Sequence, residues 1–223
     1  MPAPEKNFLK FIKSHSLKES HSQLFQDFLP LYFLNNRTQG FFVEVGVGDG
    51  VSNSNSYVLE RHFEWNGILV EPNSFFLNSI KQNRNACFVN LAAGAKDGTE
   101  ETLVSTDNGE YSYISNDYAG TGNRRKSILD QSVVTKTLCS ILRDLKAPKI
   151  IDLLSIDVEG YELEVLKGID FTERVFQVVC IEHNYNVTKR AEIQRIFLEN
   201  GYLKVLPYAS QFDSFYVRAA AEN

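Results

Sequence analysis

Residues 41–60 read FFVEVGVGDGVSNSNSYVLE, an apolar run that ends in three glycines, Gly46, Gly48 and Gly50. The glycines lead through a polar stretch into the start of an amphipathic pattern. A buried strand that ends in glycines and continues into a helix predicts a turn that a ligand approaches closely. The fold and the ligand both depend on what accompanies this turn.

The rest of the chain continues the same alternation of strand and helix patterns. Apolar runs that are typical of buried strands lie at 41–45, 68–70, 87–91, 150–156 and 175–181. Because these runs are apolar throughout and separated by amphipathic stretches, they indicate a parallel sheet with helices on both faces. The segments 202–207 and 213–219 follow each other without a helix between them. We therefore expect an α/β domain whose parallel sheet is closed by a terminal antiparallel pair.

Composition limits the classes of function. With 223 residues and 43% hydrophobic content, the chain suits a single domain over residues 1–223. Its formal net charge of −5 argues against a nucleic-acid partner, since such proteins neutralise phosphates with clustered Lys and Arg. The N-terminal sequence has no apolar signal core, and no window approaches the length of a membrane span. These features predict a soluble, cytoplasmic protein.

The three cysteines are Cys87, Cys139 and Cys180, each in or beside an apolar run and without C-x-x-C spacing. This pattern argues against a disulfide framework and against a structural zinc site. We expect three buried free thiols.

Two regions depart from the alternation. Residues 1–36 carry two short helical patterns, and Pro30 is expected to interrupt the second. Residues 95–135 are rich in Gly, Asn, Ser and Tyr and contain two candidate short strands in an otherwise irregular stretch. So long an excursion within a compact domain is usually functional or mobile.

The glycine turn suits some cofactors better than others. A dinucleotide site needs G-x-G-x-x-G, but Val51 occupies the third glycine position, and no P-loop Gly-Lys-Ser/Thr follows. S-adenosylmethionine fits better, because Glu44 precedes the glycines where a carboxylate could meet the cofactor's ammonium. Glu71 follows the next strand, where it could accept hydrogen bonds from ribose hydroxyls. The glycines alone would also fit an ordinary tight turn.

Several further motifs, in a fixed order, are SQLFQD at 22–27, WNGILVEPN at 65–73, NLAAGAKDG at 90–98, LLSIDVEGYELEVLKGIDF at 153–171 and VVCIEHN at 178–184. With the opening stretch, they resemble the FkbM family of S-adenosylmethionine-dependent methyltransferases over most of the chain. The resemblance implies a class I methyltransferase (Rossmann-like) fold with a seven-stranded, mostly parallel sheet whose last strand is antiparallel.

The resemblance also implies a set of cofactor-binding residues: Gln26, Glu44, Gly46, Gly48, Asp49, Glu71, Pro72, Asn90, Ala92 and Asp157. In this set, residues 44–48 match the methionine-binding turn and Glu71 matches the ribose ligand. Asn90 and Ala92 lie where the adenine-side loop runs. Gln26 and Asp27 match the family's SQxxQD motif, which would place residues 1–36 over the cofactor as a lid.

Methyl transfer from a sulfonium is an in-line displacement that depends on alignment, and a hydroxyl acceptor must also lose its proton. We expect the catalytic residues at the carboxyl ends of the fourth and fifth strands, at Asp157, Glu159 and His183. His183 suits a general base because its unperturbed pKa is about 6.5. The alternative is a buried histidine with a structural role.

A divalent metal such as Mg²⁺ is an alternative way to activate the acceptor. Asp157, Glu182 and Asn184 offer oxygen ligands at adjacent strand ends. We do not favour a metal, because the fifth strand lacks the usual pair of consecutive aspartates.

The favoured function is O-methylation of a hydroxyl on a saccharide or a secondary metabolite. The alternatives are a non-catalytic binding module on the same fold and a methyltransferase for nucleic acid or protein. We expect residues 95–135 to lie on the acceptor side. There, Arg124–Lys126 could bind a phosphorylated acceptor, and Tyr111, Tyr113 and Tyr118 could stack on a sugar ring.

Overall fold

A computed structural model describes residues 2–15, 19–105, 112–114 and 129–219. The strands, in chain order, are β1 (Phe41–Val45), β2 (Asn66–Val70), β3 (Cys87–Val89), β4 (Ala92–Ala93), β5 (Glu100–Ser105), β6 (Tyr113–Ile114), β7 (Leu129–Lys136), β8 (Ile150–Ile156), β9 (Val175–Glu182), β10 (Tyr202–Val205) and β11 (Asp213–Arg218). The α-helices are α1 (Ala3–Ser14), α2 (Leu29–Phe33), α3 (Tyr57–Phe63), α4 (Leu77–Asn83), α5 (Leu138–Asp144), α6 (Glu162–Lys167) and α7 (Val187–Glu199). Two 3₁₀ turns, Gln26–Phe28 and Ser74–Phe76, precede α2 and α4.

Seven strands form the central sheet in the order β10-β11-β9-β8-β1-β2-β3. Strands β1, β2, β3, β8 and β9 are parallel, whereas β11 lies between β9 and β10 and is antiparallel to both. The loop between β10 and β11 contains no helix, so the chain reverses there instead of crossing over. The prediction of a seven-stranded, mostly parallel sheet with an antiparallel last strand is confirmed.

Helices cover the sheet on both faces and bury one apolar cluster on each side. Side chains of α1 to α4, such as Ile12 and Ile80, pack in one cluster with Phe42 of β1. Side chains of α5 to α7 pack in the other cluster with Val43 and Val45 of β1. Successive residues of β1 therefore enter opposite layers, as strand geometry requires.

The N-terminal region differs from the expected pair of helices. Phe25 has a left-handed φ of +61°, which interrupts the helical pattern before the 3₁₀ turn at Gln26–Phe28. Pro30 then lies in the first turn of α2, where its missing N–H leaves no helical hydrogen bond unmade. The prediction that Pro30 interrupts a helix is therefore wrong, because the break occurs at Phe25.

Residues 95–135 include strands of a second sheet, with the order β4-β7-β5-β6. Strands β5 and β7 form a long antiparallel pair, so this region is more regular than its composition indicates. Residues 106–111 and 115–128 lie outside the described residues. They include Tyr111, Tyr118 and Arg124–Lys126, so the predictions made for those side chains concern residues outside the described part of the chain.

All three cysteines are free thiols, and Cys139 and Cys180 are buried as expected. Cys87 is exposed, so the prediction of three buried thiols is wrong at that position. Cys87 begins β3, the outermost strand of the sheet, and therefore has a neighbouring strand on one side only.

Within the described residues, we find no helix that combines the length and the apolar character needed to cross a bilayer.

Candidate active site

A cavity of about 440 Å³ opens at the carboxyl ends of β1, β2, β8 and β9. Ligands of open α/β sheets bind at this edge. The sequence-predicted residues that line it are Gly46, Gly48, Asp49, Glu71, Pro72, Ala92, Tyr113, Asp157, Glu159, Glu182 and Asn184. Four other predicted residues, Gln26, Glu44, Asn90 and His183, are not part of its lining.

Gly46 is a position that no other residue could fill without moving the backbone. Its φ is +82°, and a Cβ added there would lie 1.6 Å from the carbonyl oxygen of Asp157. The ends of β1 and β8 therefore touch at this glycine, and a side chain would force them apart. Gly48, at φ +56°, has open space beside it and leaves the loop backbone accessible from the cavity.

Glu71 connects the end of β2 to the glycine loop. Its Oε2 accepts hydrogen bonds from the N–H groups of Val47 and Gly48, at 3.0 and 3.1 Å, and its Oε1 accepts one from Asn73 at 2.8 Å. Burial raises the pKa of Glu71, while these hydrogen bonds act in the opposite direction. The carboxylate is thus fixed in the cavity wall, at the position predicted for a ribose ligand.

Glu44 has a different place from the one predicted. Its carboxylate accepts hydrogen bonds from Ser54 Oγ at 3.0 Å, from Asn55 N–H at 2.6 Å and from Ser56 Oγ, and it lies 3.6 Å from the guanidinium of Arg84. Its neighbour in β1, Val45, lines the cavity instead. Glu44 therefore anchors the loop that leads into α3, and a direct contact with a ligand's ammonium does not fit this geometry.

Asp49, the acid among the glycines, closes its own turn. Its Oδ1 accepts hydrogen bonds from the N–H groups of Val51 and Ser52, both at 2.7 Å, and its Oδ2 accepts one from Ser52 Oγ. This is the usual way in which an aspartate stabilises a tight turn. Asp49 still lines the cavity, but its carboxylate is engaged with the backbone.

A group of acidic side chains lies at the carboxyl ends of β8 and β9. Burial raises the pKa of Asp157 well above its usual value, and the neighbouring Glu159 and Asp213 raise it further. For the same reasons, burial first and Asp157 second, the pKa of Glu182 is raised to about 11. Burial also raises the pKa of Asp213 to about 7.

Lys189 lines the cavity, but its ammonium lies 2.5 Å from Glu162 Oε2 and is paired with that carboxylate. Excess carboxylates in a poorly solvated cavity either take up protons or bind a cation. The cavity is therefore suited to a positively charged ligand.

His183 lies outside the cavity lining. Its side chain is buried, with 1% of its surface exposed, and its Nδ1 accepts a hydrogen bond from Tyr185 N–H at 3.2 Å. Burial lowers the pKa of His183 to about 4, because an imidazolium is poorly solvated there. The prediction of His183 as the general base is therefore not supported, and the structural alternative fits the observed contacts.

The SQLFQD motif holds the N-terminal segment against β11. Gln26 Nε2 donates to Asp213 Oδ2 at 2.8 Å, and Asp27 accepts hydrogen bonds from Ser20 and Ser22. The residue of this motif that lines the cavity is Gln23. If the motif were a continuous helix, its pattern would not place Gln23 in the cavity wall. The left-handed backbone at Phe25 changes which side chains of the motif point inward.

On the opposite side of the cavity, Asn90 is exposed and supports the wall from outside. Its Nδ2 donates to the carbonyl oxygens of Glu71 and Pro72 at 2.8 and 3.1 Å. Ala92 lines the cavity as predicted. The sequence reading missed further lining residues, of which Phe76, Tyr161, Tyr185 and Phe212 are aromatic.

The three candidate metal ligands all line the cavity, but two of them bind each other. Asn184 Nδ2 donates to Glu182 Oε2 at 2.7 Å, so the amide presents its donor group to that carboxylate. In the described part of the chain, no group of three or more His, Cys, Asp or Glu side chains is arranged to hold a metal ion.

The sheet order, with its antiparallel last strand and a cavity at the carboxyl edge, is that of the class I methyltransferase fold. A family model described as the methyltransferase FkbM domain matches residues 44–204. The chain belongs to the FkbM methyltransferase family, and the resemblance read from its motifs is confirmed.

Solved structures with similar chain folds include three methyltransferases. The methyltransferase FkbM from Methylobacillus flagellatus is 16% identical, with a TM-score of 0.49, over 81% of this chain and 43% of that one. A precorrin-6y C5,15-methyltransferase from Geobacter metallireducens is 13% identical, with a TM-score of 0.44, over 80% and 71% of the two chains. A putative RNA methyltransferase from Pyrococcus horikoshii is 11% identical, with a TM-score of 0.47, over 87% and 82%. The present chain thus covers less than half of the Methylobacillus protein. No curated protein matches this chain.

Proposed function

We propose that this methyltransferase uses S-adenosylmethionine and transfers its methyl group to a hydroxyl of a saccharide or a secondary metabolite. The observation that carries the proposal is a cavity with the Glu71 carboxylate at one strand end and the buried carboxyl groups of Asp157 and Glu182 at two others. A ligand that carries both a ribose and a positive charge satisfies the two features together.

The chain's own residues would hold this cofactor as follows. The carboxylate of Glu71 accepts hydrogen bonds from the ribose hydroxyls, and charged acceptors make the stronger bonds of this kind. The accessible backbone around Gly48 accommodates the methionine part, and Asp157 and Glu159 offset its positive charge. When bound, S-adenosylmethionine supplies a methyl group on a sulfonium, which is an intrinsically good leaving group.

Catalysis by the protein then consists of alignment and proton removal. Holding the acceptor hydroxyl in line with the methyl group converts a bimolecular reaction into a nearly unimolecular one. A carboxyl group of the cavity can take the hydroxyl proton in its charged form, which a bound cation favours, and we assign this role to Asp157 or Glu159. His183 is left out because it does not line the cavity.

A metal-assisted route would place Mg²⁺ between Asp157, Glu182 and Asn184. We propose that the reaction does not need it, because the Asn184 amide already donates to Glu182. Methyl transfer that is undiminished by EDTA would support this part of the proposal, and its loss with recovery on added Mg²⁺ would refute it.

Calorimetry with S-adenosylmethionine and S-adenosylhomocysteine tests the proposal as a whole. We expect one binding site for each, followed by transfer of labelled methyl to hydroxyl compounds. Binding of neither compound would contradict the proposal. Binding without transfer to any hydroxyl, nucleic acid or protein would favour the non-catalytic module, and transfer to nucleic acid or protein would favour that alternative class.

The proposal also includes the cellular compartment in which the reaction takes place. Free thiols such as Cys139 and Cys180 are typical of a reducing compartment, and they support a cytoplasmic location. Quenching intact cells with acid and labelling the thiols after denaturation would test it, because all three cysteines should be found as free thiols, and oxidised cysteines would contradict it.

A further inference from the structure

Tyr185 is an exposed aromatic side chain at the edge of the cavity. It lines the cavity, yet 65% of its surface is exposed. Its backbone has a left-handed φ of +56°, and that of the preceding Asn184 is +48°. A left-handed backbone is strained at a bulky residue such as Tyr185, and such strain is concentrated at ligand sites. Burial of the ring does not explain why the strain is retained.

The surrounding backbone holds Tyr185 in this conformation. The carbonyl oxygen of Phe212 accepts hydrogen bonds from the N–H groups of His183 and Asn184 at 2.9 and 3.0 Å. His183 Nδ1 accepts the N–H of Tyr185, and His183 O accepts the N–H of Asn186 at 2.8 Å. Consecutive N–H groups of this segment are thus engaged, so the backbone at Tyr185 is held in this conformation by the protein itself.

The ring is also supported from one side. Its centroid lies 6.3 Å from that of Phe212, with the two planes at 77°. This edge-to-face contact orients the ring and leaves most of its surface open. The result is a rigid aromatic surface at the entrance to the methyl-transfer cavity.

The groups next to Tyr185 indicate the chemistry of its ligand. Asn184 is exposed and Glu182 lines the same cavity, so hydrogen-bonding groups adjoin the aromatic surface. A pyranose ring presents a face of C–H groups and a rim of hydroxyls, which match these two kinds of surface. In the described cavity wall, the ammonium of Lys189 is already paired with Glu162, so an anionic group would find little compensating charge there, which disfavours phosphorylated or carboxylated acceptors.

We propose that Tyr185 is the surface on which a neutral or amino-substituted pyranose ring of the acceptor stacks. This inference rests on the proposed function, since it assumes that the acceptor enters the cavity that holds the cofactor. It adds the substrate class and a residue that determines it.

Saturation-transfer NMR with methyl α-D-mannopyranoside, methyl β-D-glucopyranoside and methyl α-L-rhamnopyranoside tests the proposal. We expect saturation transfer to the ring C–H protons of at least one glycoside, on both the free protein and the protein loaded with S-adenosylhomocysteine. The substitution Tyr185→Asn removes the ring and tolerates a left-handed backbone, so it should reduce the effect about tenfold. Tyr185→Phe should retain the effect because the aromatic face remains.

The matched control is Tyr208→Ala, because Tyr208 is 73% exposed and does not line the cavity. This substitution should leave the transfer unchanged. No saturation transfer to any glycoside, or equal transfer to wild type and Tyr185→Asn, would overturn the stacking role. Calorimetry of S-adenosylhomocysteine on the same variants separates the two claims. Unchanged cofactor binding beside a lost glycoside signal supports the inference, whereas absent cofactor binding in wild type contradicts the proposed function.

Discussion

The carboxylate of Glu71, at the end of β2, accepts a hydrogen bond of 3.1 Å from the backbone N–H of Gly48 in the loop after β1. The same oxygen accepts the N–H of Val47 at 3.0 Å. One buried carboxylate therefore shapes the glycine loop and also forms part of the cavity wall. This double role connects the sequence motif to the proposed cofactor site.

Replacing Glu71 by glutamine should weaken binding of S-adenosylhomocysteine about tenfold or more, because a neutral amide accepts weaker hydrogen bonds than a carboxylate. Glutamine keeps an acceptor for the loop N–H groups, so the fold should persist by circular dichroism. Calorimetry measures the affinity. Glu100→Gln, at an exposed position outside the cavity, is the matched control and should bind normally. Unchanged affinity of Glu71→Gln would remove Glu71 from the ribose role.

Gly46→Ala should destabilise the protein by about 3 kcal/mol or more, because the added Cβ would overlap the carbonyl oxygen of Asp157. Gly98→Ala is a matched control, since Gly98 has a similar φ of +77° but open space around it. That control carries only the cost of a left-handed alanine, about 1 kcal/mol. Urea unfolding of the two variants gives the difference, and equal losses would contradict the close approach of β1 and β8.

Binding of S-adenosylmethionine should release protons near neutral pH. The pKa of Asp213 is raised to about 7 and that of Glu182 to about 11, so these groups are wholly or partly protonated in the empty site. A cationic ligand favours the charged carboxylates and lowers both pKa values. The released protons bind to the buffer, so the observed heat should be more exothermic in Tris than in phosphate.

Asp213→Asn should reduce this buffer dependence while the protein remains folded, because asparagine cannot release a proton. Equal heats in the two buffers for the wild-type protein, or a difference of the opposite sign, would contradict the account of the carboxylate group.

His183 should remain neutral from about pH 5 upward. Its pKa is lowered to about 4, below the value of about 6.5 expected in the unfolded chain. The stability that this difference contributes is present above pH 6.5 and is lost as the pH falls toward 4. An NMR titration of its imidazole, assigned by comparison with His183→Gln, measures the pKa directly. A midpoint between pH 6 and 7 would contradict the burial of its imidazole.

The sequence predicted the sheet well because its strands are apolar on both faces. Strands β1 and β8 have the predicted bounds, and the antiparallel last strand follows from the absence of a helix before it. Glu71 lies in the cavity wall because it directly follows a buried strand, and its role as ribose ligand stays a prediction. The amino-acid sequence therefore predicts features that depend on where a strand ends.

Side-chain direction was less predictable. Glu44 and His183 are each next to a residue that lines the cavity, Val45 and Glu182, but they point elsewhere. Neighbouring residues in extended chain point to opposite sides, so an error of one position reverses the role assigned to a residue. Likewise, the left-handed backbone at Phe25 places Gln23, and not the predicted Gln26, in the cavity wall. No pattern of apolar residues signals such a backbone conformation.

A crystal structure with S-adenosylhomocysteine tests the central claim most directly. We predict that the ligand occupies the cavity at the carboxyl ends of β1, β2 and β8, with its ribose hydroxyls hydrogen-bonded to Glu71. Its sulfur should face Asp157 and Glu182, and His183 should make no contact with it. A ligand bound elsewhere, or one in this cavity whose ribose does not contact Glu71, would contradict the account.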